Sequence, residues 1–148
     1  MTTETTNTSA LKWLVERKPD QGYIDALHSA LIDYNIKAAA IDQTQNLAVF
    51  IRDEQDVLMG GIAGRTWGQC LEIQYLWIHD ELRGQGHGVK LIQALEQEAL
   101  VRQCYSVVVD TFSFQAPGLY QKLGYEVLGV IDGYPDDIQK VFLKKHLA

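Results

Sequence analysis

Residues 82–99 read LRGQGHGVKLIQALEQEA: three glycines at alternate positions, Gly84, Gly86 and Gly88, run straight into an amphipathic helix. A helix N-terminus leaves its first N–H groups unpaired and carries partial positive charge, and glycines let a ligand approach those amides without side-chain interference. The stretch therefore has the form of an anion site. Arg83 completes the pattern R-x-x-G-x-G, which sets backbone donors suited to a pyrophosphate beside a guanidinium. No Gly-Lys-Ser/Thr ending makes it a Walker-type loop. The dinucleotide spacing G-x-G-x-x-G fails too, because Leu91 and Val89 occupy its last position counted from Gly86 and from Gly84. The alternative to an anion site is a tight strand-to-helix turn that binds nothing.

Just upstream, CLEIQYLWIHD (70–80) is mostly apolar on both faces, as a central strand should be. Just downstream, Val89, Ile92, Leu95 and Ala99 form one helical stripe and YSVVVD (105–110) reads as a short buried strand. Strand, helix and strand predict a right-handed crossover unit. The C-terminal stretch from Gln115 predicts a short helix ended by Gly124, then two strands around a Gly-Tyr-Pro turn. On the N-terminal side, NLAVFIRDEQDVLMGGIAGRTW (46–67) predicts two strands joined by the polar turn at 53–56. Its Gly60-Gly61 pair signals a bulge or a close backbone approach. ALKWLVERKP (10–19) alternates as a first strand would, and Asp20 is a candidate N-cap. Ile24, Leu27, Leu31 and Tyr34 then mark a helix ending near the alanines at 38–40, with a second short helix continuing from there. Residues 1–9 are polar and Thr-rich and are expected to be a disordered tail before a single domain over 10–148. The order strand, helix, three strands, helix, strand, helix, two strands is an α/β pattern with a mixed sheet.

Composition narrows the function classes. The 148 residues, 47% hydrophobic, suit one core. A formal charge of −6 argues against a nucleic-acid partner, which would require many neutralised phosphates, and suits a cationic acceptor better. Cys70 and Cys104 lack metal-ligand spacing, so no metal is expected. No apolar run approaches membrane-spanning length and no signal segment opens the chain, so a soluble, cytoplasmic protein with no membrane partner is expected.

The stretch YLWIHDELRGQGHGVKLIQALEQEA (75–99) resembles the acetyl-CoA-binding motif of the GNAT superfamily of N-acetyltransferases, Q/R-x-x-G-x-G/A after a central strand. APGLYQKLGYE (116–126) resembles the second signature of that family, in the expected order. DTFSFQAPGLYQKLGYEV (110–127) resembles a bacterial branch of small GNAT enzymes, and the similarity extends from about residue 11 to the C-terminus. The resemblance implies a mixed, mostly antiparallel sheet flanked by helices, with a V-shaped splay between its two central strands. It implies acetyl-CoA as cosubstrate, its pyrophosphate on Arg83, Gly84, Gln85, Gly86, His87, Gly88 and Val89. The pantetheine arm would pair with main chain at Leu76, Trp77 and Ile78, one of whose N–H groups would serve the oxyanion. Phe114 and Gln115 would border the coenzyme. His79 and Asp80 depart from the residues common in relatives, and His79 is read as a solvated turn residue.

The reaction implied is attack of a neutral amine on the acetyl thioester through a tetrahedral intermediate, with a thiolate leaving. The family places a tyrosine near the departing sulfur, which marks Tyr120 in LYQKLGY as the proton donor; a packing aromatic is the alternative. Some members carry a base glutamate on the central strand, which marks Glu72; a solvent-facing or cross-strand-paired glutamate is the alternative. Trp67, Tyr75, Tyr34 and Tyr134 are candidates to line an acceptor cleft. A small-molecule amine is the expected acceptor, with a protein lysine or N-terminus second. An acetyl-CoA-binding module that transfers nothing and a different nucleotide binder using the same loop are the competing classes. A homodimer is a further expectation from the family.

Overall fold

The computed structural model describes residues 10–147, so the expected tail at 1–9 lies outside the described residues. The chain falls into two compact units, one ending at Ile41 and one beginning at Asp42.

The first unit contains helix α1 (Gln21–Ala39). Asp20 caps it, its carboxylate accepting the Gly22 N–H at 2.7 Å, as the sequence predicts. The helix stops where Ala40 turns left-handed at φ 51 and returns its N–H to the Ile36 carbonyl at 3.0 Å. In place of a second short helix there is one 3-10 turn, Ile41–Gln43. The strand expected over 10–19 is not formed. Residues 11–16 carry no regular structure and pair with no strand, and Trp13 and Val15 are 93% exposed. Alternation alone makes no strand: the backbone groups need a partner edge to bond with.

The second unit is a six-stranded sheet with helices α2 (His87–Val101) and α3 (Pro117–Lys122). Its strands are β1 (Gln45–Arg52), β2 (Leu58–Trp67), β3 (Cys70–Ile78), β4 (Ser106–Phe112), β5 (Glu126–Ile131) and β6 (Lys140–His146), in the spatial order β1-β2-β3-β4-β6-β5. Only β3 and β4 run parallel, which is the pairing the strand-helix-strand crossover predicts. The turn after β1 is held by Asp53, whose carboxylate accepts the N–H groups of Gln55 and Val57 at 2.9 Å each. Gly60-Gly61 proves to be a close approach: a Cβ on Gly61 would stand 2.9 Å from the Val49 carbonyl oxygen. A bulge adjoins the pair, where Ile51 faces Gly60 and Arg52 faces Leu58, leaving Met59 without a partner; another lies further along, where Ala63 faces Tyr75 and Gly64 faces Ile73, leaving Gln74 without a partner.

The core lies between the sheet and α2. Leu91, Ile92, Leu95 and Ala99 are buried against Ile62, Leu71, Ile73, Val107 and Val109; Val89, expected in that stripe, is only half-buried. Each fully buried leucine or isoleucine contributes about 1.5–3 kcal/mol. Two polar fastenings complete the packing. At the end of α2 the Arg102 guanidinium donates to the carbonyls of Gln45 and Asn46 and to Thr66 Oγ1 at 3.0–3.2 Å. In mid-helix the buried Glu96 receives Lys145 Nζ at 2.8 Å and the Tyr125 hydroxyl at 3.3 Å.

Candidate active site

β3 and β4 stay paired only from Cys70–Ser106 to Ile73–Val109. The extra residue Gln74 follows at once, and a bulge bends its strand and breaks the ladder. From that point β3 has no partner on its β4 side, although β2 still pairs with it through Leu76, Trp77 and Ile78. The bulge also rephases the pleat. Leu71 and Ile73 face the core before it, Leu76 and Ile78 after it, so Tyr75 and Trp77 are turned to the open face, 70% and 47% exposed. Between the parted strands lies a cavity of about 230 Å³, lined on one side by residues 73–77 and on the other by Val109, Asp110 and Thr111. Gln115, Ala116 and Tyr120 close it.

Tyr120 projects from α3 into the core, only 3% exposed, yet it lines this cleft. Burial pushes its hydroxyl pKa up to about 12, so it stays protonated at neutral pH. The Tyr120 ring meets Tyr125 edge to face, centroids 5.3 Å apart. Tyr125 is anchored by Glu96, and burial first, then the Glu96 carboxylate, raises its pKa as well.

At the end of β3, His79 turns the chain by accepting the Glu81 N–H on Nδ1 at 3.2 Å; it is a turn residue as expected, but half-buried with its ring edge-on to Trp77 rather than solvated. Arg83 folds back, donating through Nε to the Ile78 carbonyl at 3.0 Å and pairing with Asp80 at 2.9 Å. The loop beyond it, Gly84, Gln85 and Gly86, is exposed, and His87 is half-buried. Gly84 and Gly86 adopt φ of +73° and +82°, a region that L side chains rarely enter, with nothing within 4 Å of where a Cβ would stand. Gly86 at the N-cap of α2 has no side chain, and among the described residues no side chain bonds the first amides of the helix. Gly88 is a different case: its Cβ would lie 2.8 Å from Leu119, so it packs α2 against α3.

The remaining sequence candidates are distributed unevenly. Glu72 sits on the open face of β3, opposite Val108 and one pair short of the opening, where Arg65 holds it at 3.3 Å; it does not line the cleft. Gln115 lines the cleft and ties the turn after β4, accepting the Phe112 N–H at 2.8 Å. Phe114 stacks on Phe112 and is 67% exposed. Of the aromatic candidates Tyr75 lines the cleft, Tyr134 meets Phe112 edge-on, and Trp67 lies at the other end of β3, opposite Cys70. Tyr34 belongs to α1, in the other unit. Two features escaped the sequence reading. Glu96 falls among the buried positions of α2, a charged residue within an apolar stripe, which was a legible signal for a buried partner. Asp110, the carboxylate of the cleft wall, stands at the end of a stretch that reads as a buried strand, with no local signal for a site.

Comparison with known proteins matches residues 8–125 to the acetyltransferase (GNAT) family. The chain belongs to the GNAT family of acetyltransferases. This GNAT chain is 37% identical to blasticidin-S acetyltransferase of Streptomyces morookaense over 101 residues, 68% of this chain and 74% of that one. It is 30% identical to an acetyltransferase of Agrobacterium fabrum over 70% of this chain and 76% of the other. An acetyltransferase crystal structure from Bacillus cereus superposes with a TM-score of 0.75 at 26% identity, covering 90% of this chain and 98% of that one.

GNAT enzymes move an acetyl group from acetyl-CoA to an amine, and that chemistry and cosubstrate apply here. The local structure fits the coenzyme: a main-chain edge left unpaired where the strands part, and a glycine loop open at uncovered helix amides. Among the described residues no cluster of three or more His, Cys, Asp or Glu side chains is arranged to hold a metal, and no helix is long and apolar enough to cross a membrane.

Proposed function

We propose that this GNAT enzyme acetylates a primary amine of a small molecule by direct attack on the acetyl thioester through a tetrahedral intermediate. The observation that carries the reading is the position of Tyr120, a tyrosine held protonated by burial at the wall of the parted-strand cleft. In this reading the cosubstrate's pyrophosphate rests on the amides around Gly86 and its pantetheine runs along the free edge at 76–78. Tyr120 gives a proton to the departing sulfur. Glu72, on the open face beside the cleft, draws the amine proton through water. The net acidic charge favours an acceptor that arrives as a cation. The relative named for blasticidin S makes that compound the first acceptor to try.

Two measurements test this. Thermal shift with acetyl-CoA, NAD and ATP comes first, since a ligand at 100 times its Kd adds about 2.7 kcal/mol. Stabilisation by acetyl-CoA alone is expected; stabilisation by NAD or ATP alone overturns the reading. Coenzyme A release is then followed with blasticidin S, polyamines, amino acids, and lysine or N-terminal peptides. Release confined to peptides overturns the small-molecule acceptor, and binding of acetyl-CoA with no release over the whole panel favours a module that transfers nothing.

A further inference from the structure

The cleft passes through the sheet. β4 alternates, so Val109 and Thr111 are buried on the core side, where Tyr120 lies, while Asp110 points to the opposite face with Tyr75 and Trp77 of β3. All six line the same cavity. Among its lining residues Asp110 is the one carboxylate, and its side chain is 53% exposed.

Asp110 already faces an ammonium. Lys140 Nζ stands 3.7 Å from its Oδ1 and at the same time lies over the rings of Phe112 and Phe142, 5.7 and 5.6 Å from their centroids. A charge-assisted hydrogen bond closes to about 2.8 Å, so this pair is loose and leaves the carboxylate able to take a nearer donor. The ring faces of Phe112 and Phe142 hold the Lys140 ammonium beside this carboxylate, so the setting already accommodates a cation. Glu72, by contrast, is engaged by Arg65 through both Nε and a terminal nitrogen.

We propose that Asp110 is the acceptor-binding carboxylate, receiving the reacting amine as its ammonium ion from the face of the sheet opposite Tyr120. The assignment rests on the acetyltransferase reading above and deepens it: the substrate class is a primary amine charged at the nitrogen that reacts. Asp110 binds and orients that nitrogen, and Lys140 competes with it for the same carboxylate.

The probes are S-(2-aminoethyl)-coenzyme A and S-propyl-coenzyme A, which differ by an ammonium against a methyl group near where an attacking nitrogen would stand. Their affinities are measured by calorimetry on the full chain. The native protein is expected to prefer the ammonium analogue by about fivefold, a modest factor because the carboxylate is half exposed. Asp110→Asn is expected to abolish the preference while S-propyl-coenzyme A binds as before, and Lys140→Met to increase it. Equal binding of the two analogues by the native protein, or a preference that survives Asp110→Asn, overturns the proposal. A preference that falls in Lys140→Met overturns it too, without relying on the Asp110 variant. If neither analogue nor acetyl-CoA binds, the acetyl-CoA reading itself fails and takes this one with it.

Discussion

Tyr125 stands edge-on to Tyr120, with their planes at 71°, and passes its own hydroxyl hydrogen bond to Glu96 at 3.3 Å. Glu96 is buried, its side chain 6% exposed, and Lys145 neutralises it through both carboxylate oxygens at 2.8 and 3.0 Å. The ring at the cleft wall therefore leans on a second tyrosine fixed by a buried ion pair. Removing Lys145 alone leaves an uncompensated buried carboxylate, so Lys145→Met is expected to cost about 3–5 kcal/mol in urea unfolding. The double variant Glu96→Gln, Lys145→Met should recover a large part of that loss. A double variant as unstable as the single one would show that packing, and not the stranded charge, carries the effect.

Replacing Tyr120 by Phe removes the proton donor and little else. Turnover should fall about 10²-fold while stabilisation by acetyl-CoA is retained. Unchanged turnover removes Tyr120 from the mechanism.

The same tyrosine sets an alkaline limit on stability. Its pKa of about 12 in the fold lies above the ordinary 10, so the unfolded chain loses this proton first as pH rises. The contribution is complete below pH 10 and is lost between 10 and 12, by roughly 3 kcal/mol at most. Urea midpoints across that range should fall less steeply in Tyr120→Phe; parallel curves would contradict the assignment.

Glu72 pairs with Arg65 where both side chains are nearly half exposed, a bond worth little to stability. Glu72→Gln should therefore leave the melting temperature within a degree or two and abolish the acidic limb of the turnover profile. An unaltered acidic limb excludes Glu72 as the base.

Gly86 and Gly118 make a matched comparison, since neither has an atom within 4 Å of where an added methyl group would stand but only Gly86 has positive φ. Gly86→Ala is expected to cost about 1–2 kcal/mol through the backbone alone and to weaken stabilisation by acetyl-CoA. Gly118→Ala, inside α3, should be neutral or slightly stabilising. Equal losses in both would mean that the conformation of the loop is not what the coenzyme reads.

Much of this architecture was legible locally. The Asp20 cap, the Asp53 turn and the stop at Gly124 are each written in a few adjacent residues whose side chains or φ angles act on their own backbone. The bulge in β3 is legible as well. In CLEIQYLWI the core residues fall at 71, 73, 76 and 78, a skipped beat that can only be kept by an extra residue at 74 or 75. The stretch 10–19 failed for the opposite reason: its alternation is local, but strand formation depends on a partner edge that lies elsewhere in the chain.

The family, the glycine loop at the head of α2 and the identity of Tyr120 could all be read from the order of residues, because each is a pattern of neighbours within one or two elements. Which residues share the cleft depended on the folded chain. Asp110 and Tyr75 are 35 positions apart in the chain and Glu96 and Lys145 are 49, and no local rule relates them. They meet because β3 and β4 lie side by side and then part, and because β6 pairs with β4 and so brings Lys145 to Glu96 of α2; such contacts depend on strand order and register. That is also why Glu72, one residue pair short of the opening, stands outside the cleft while Asp110, one residue beyond the last pair, stands in it.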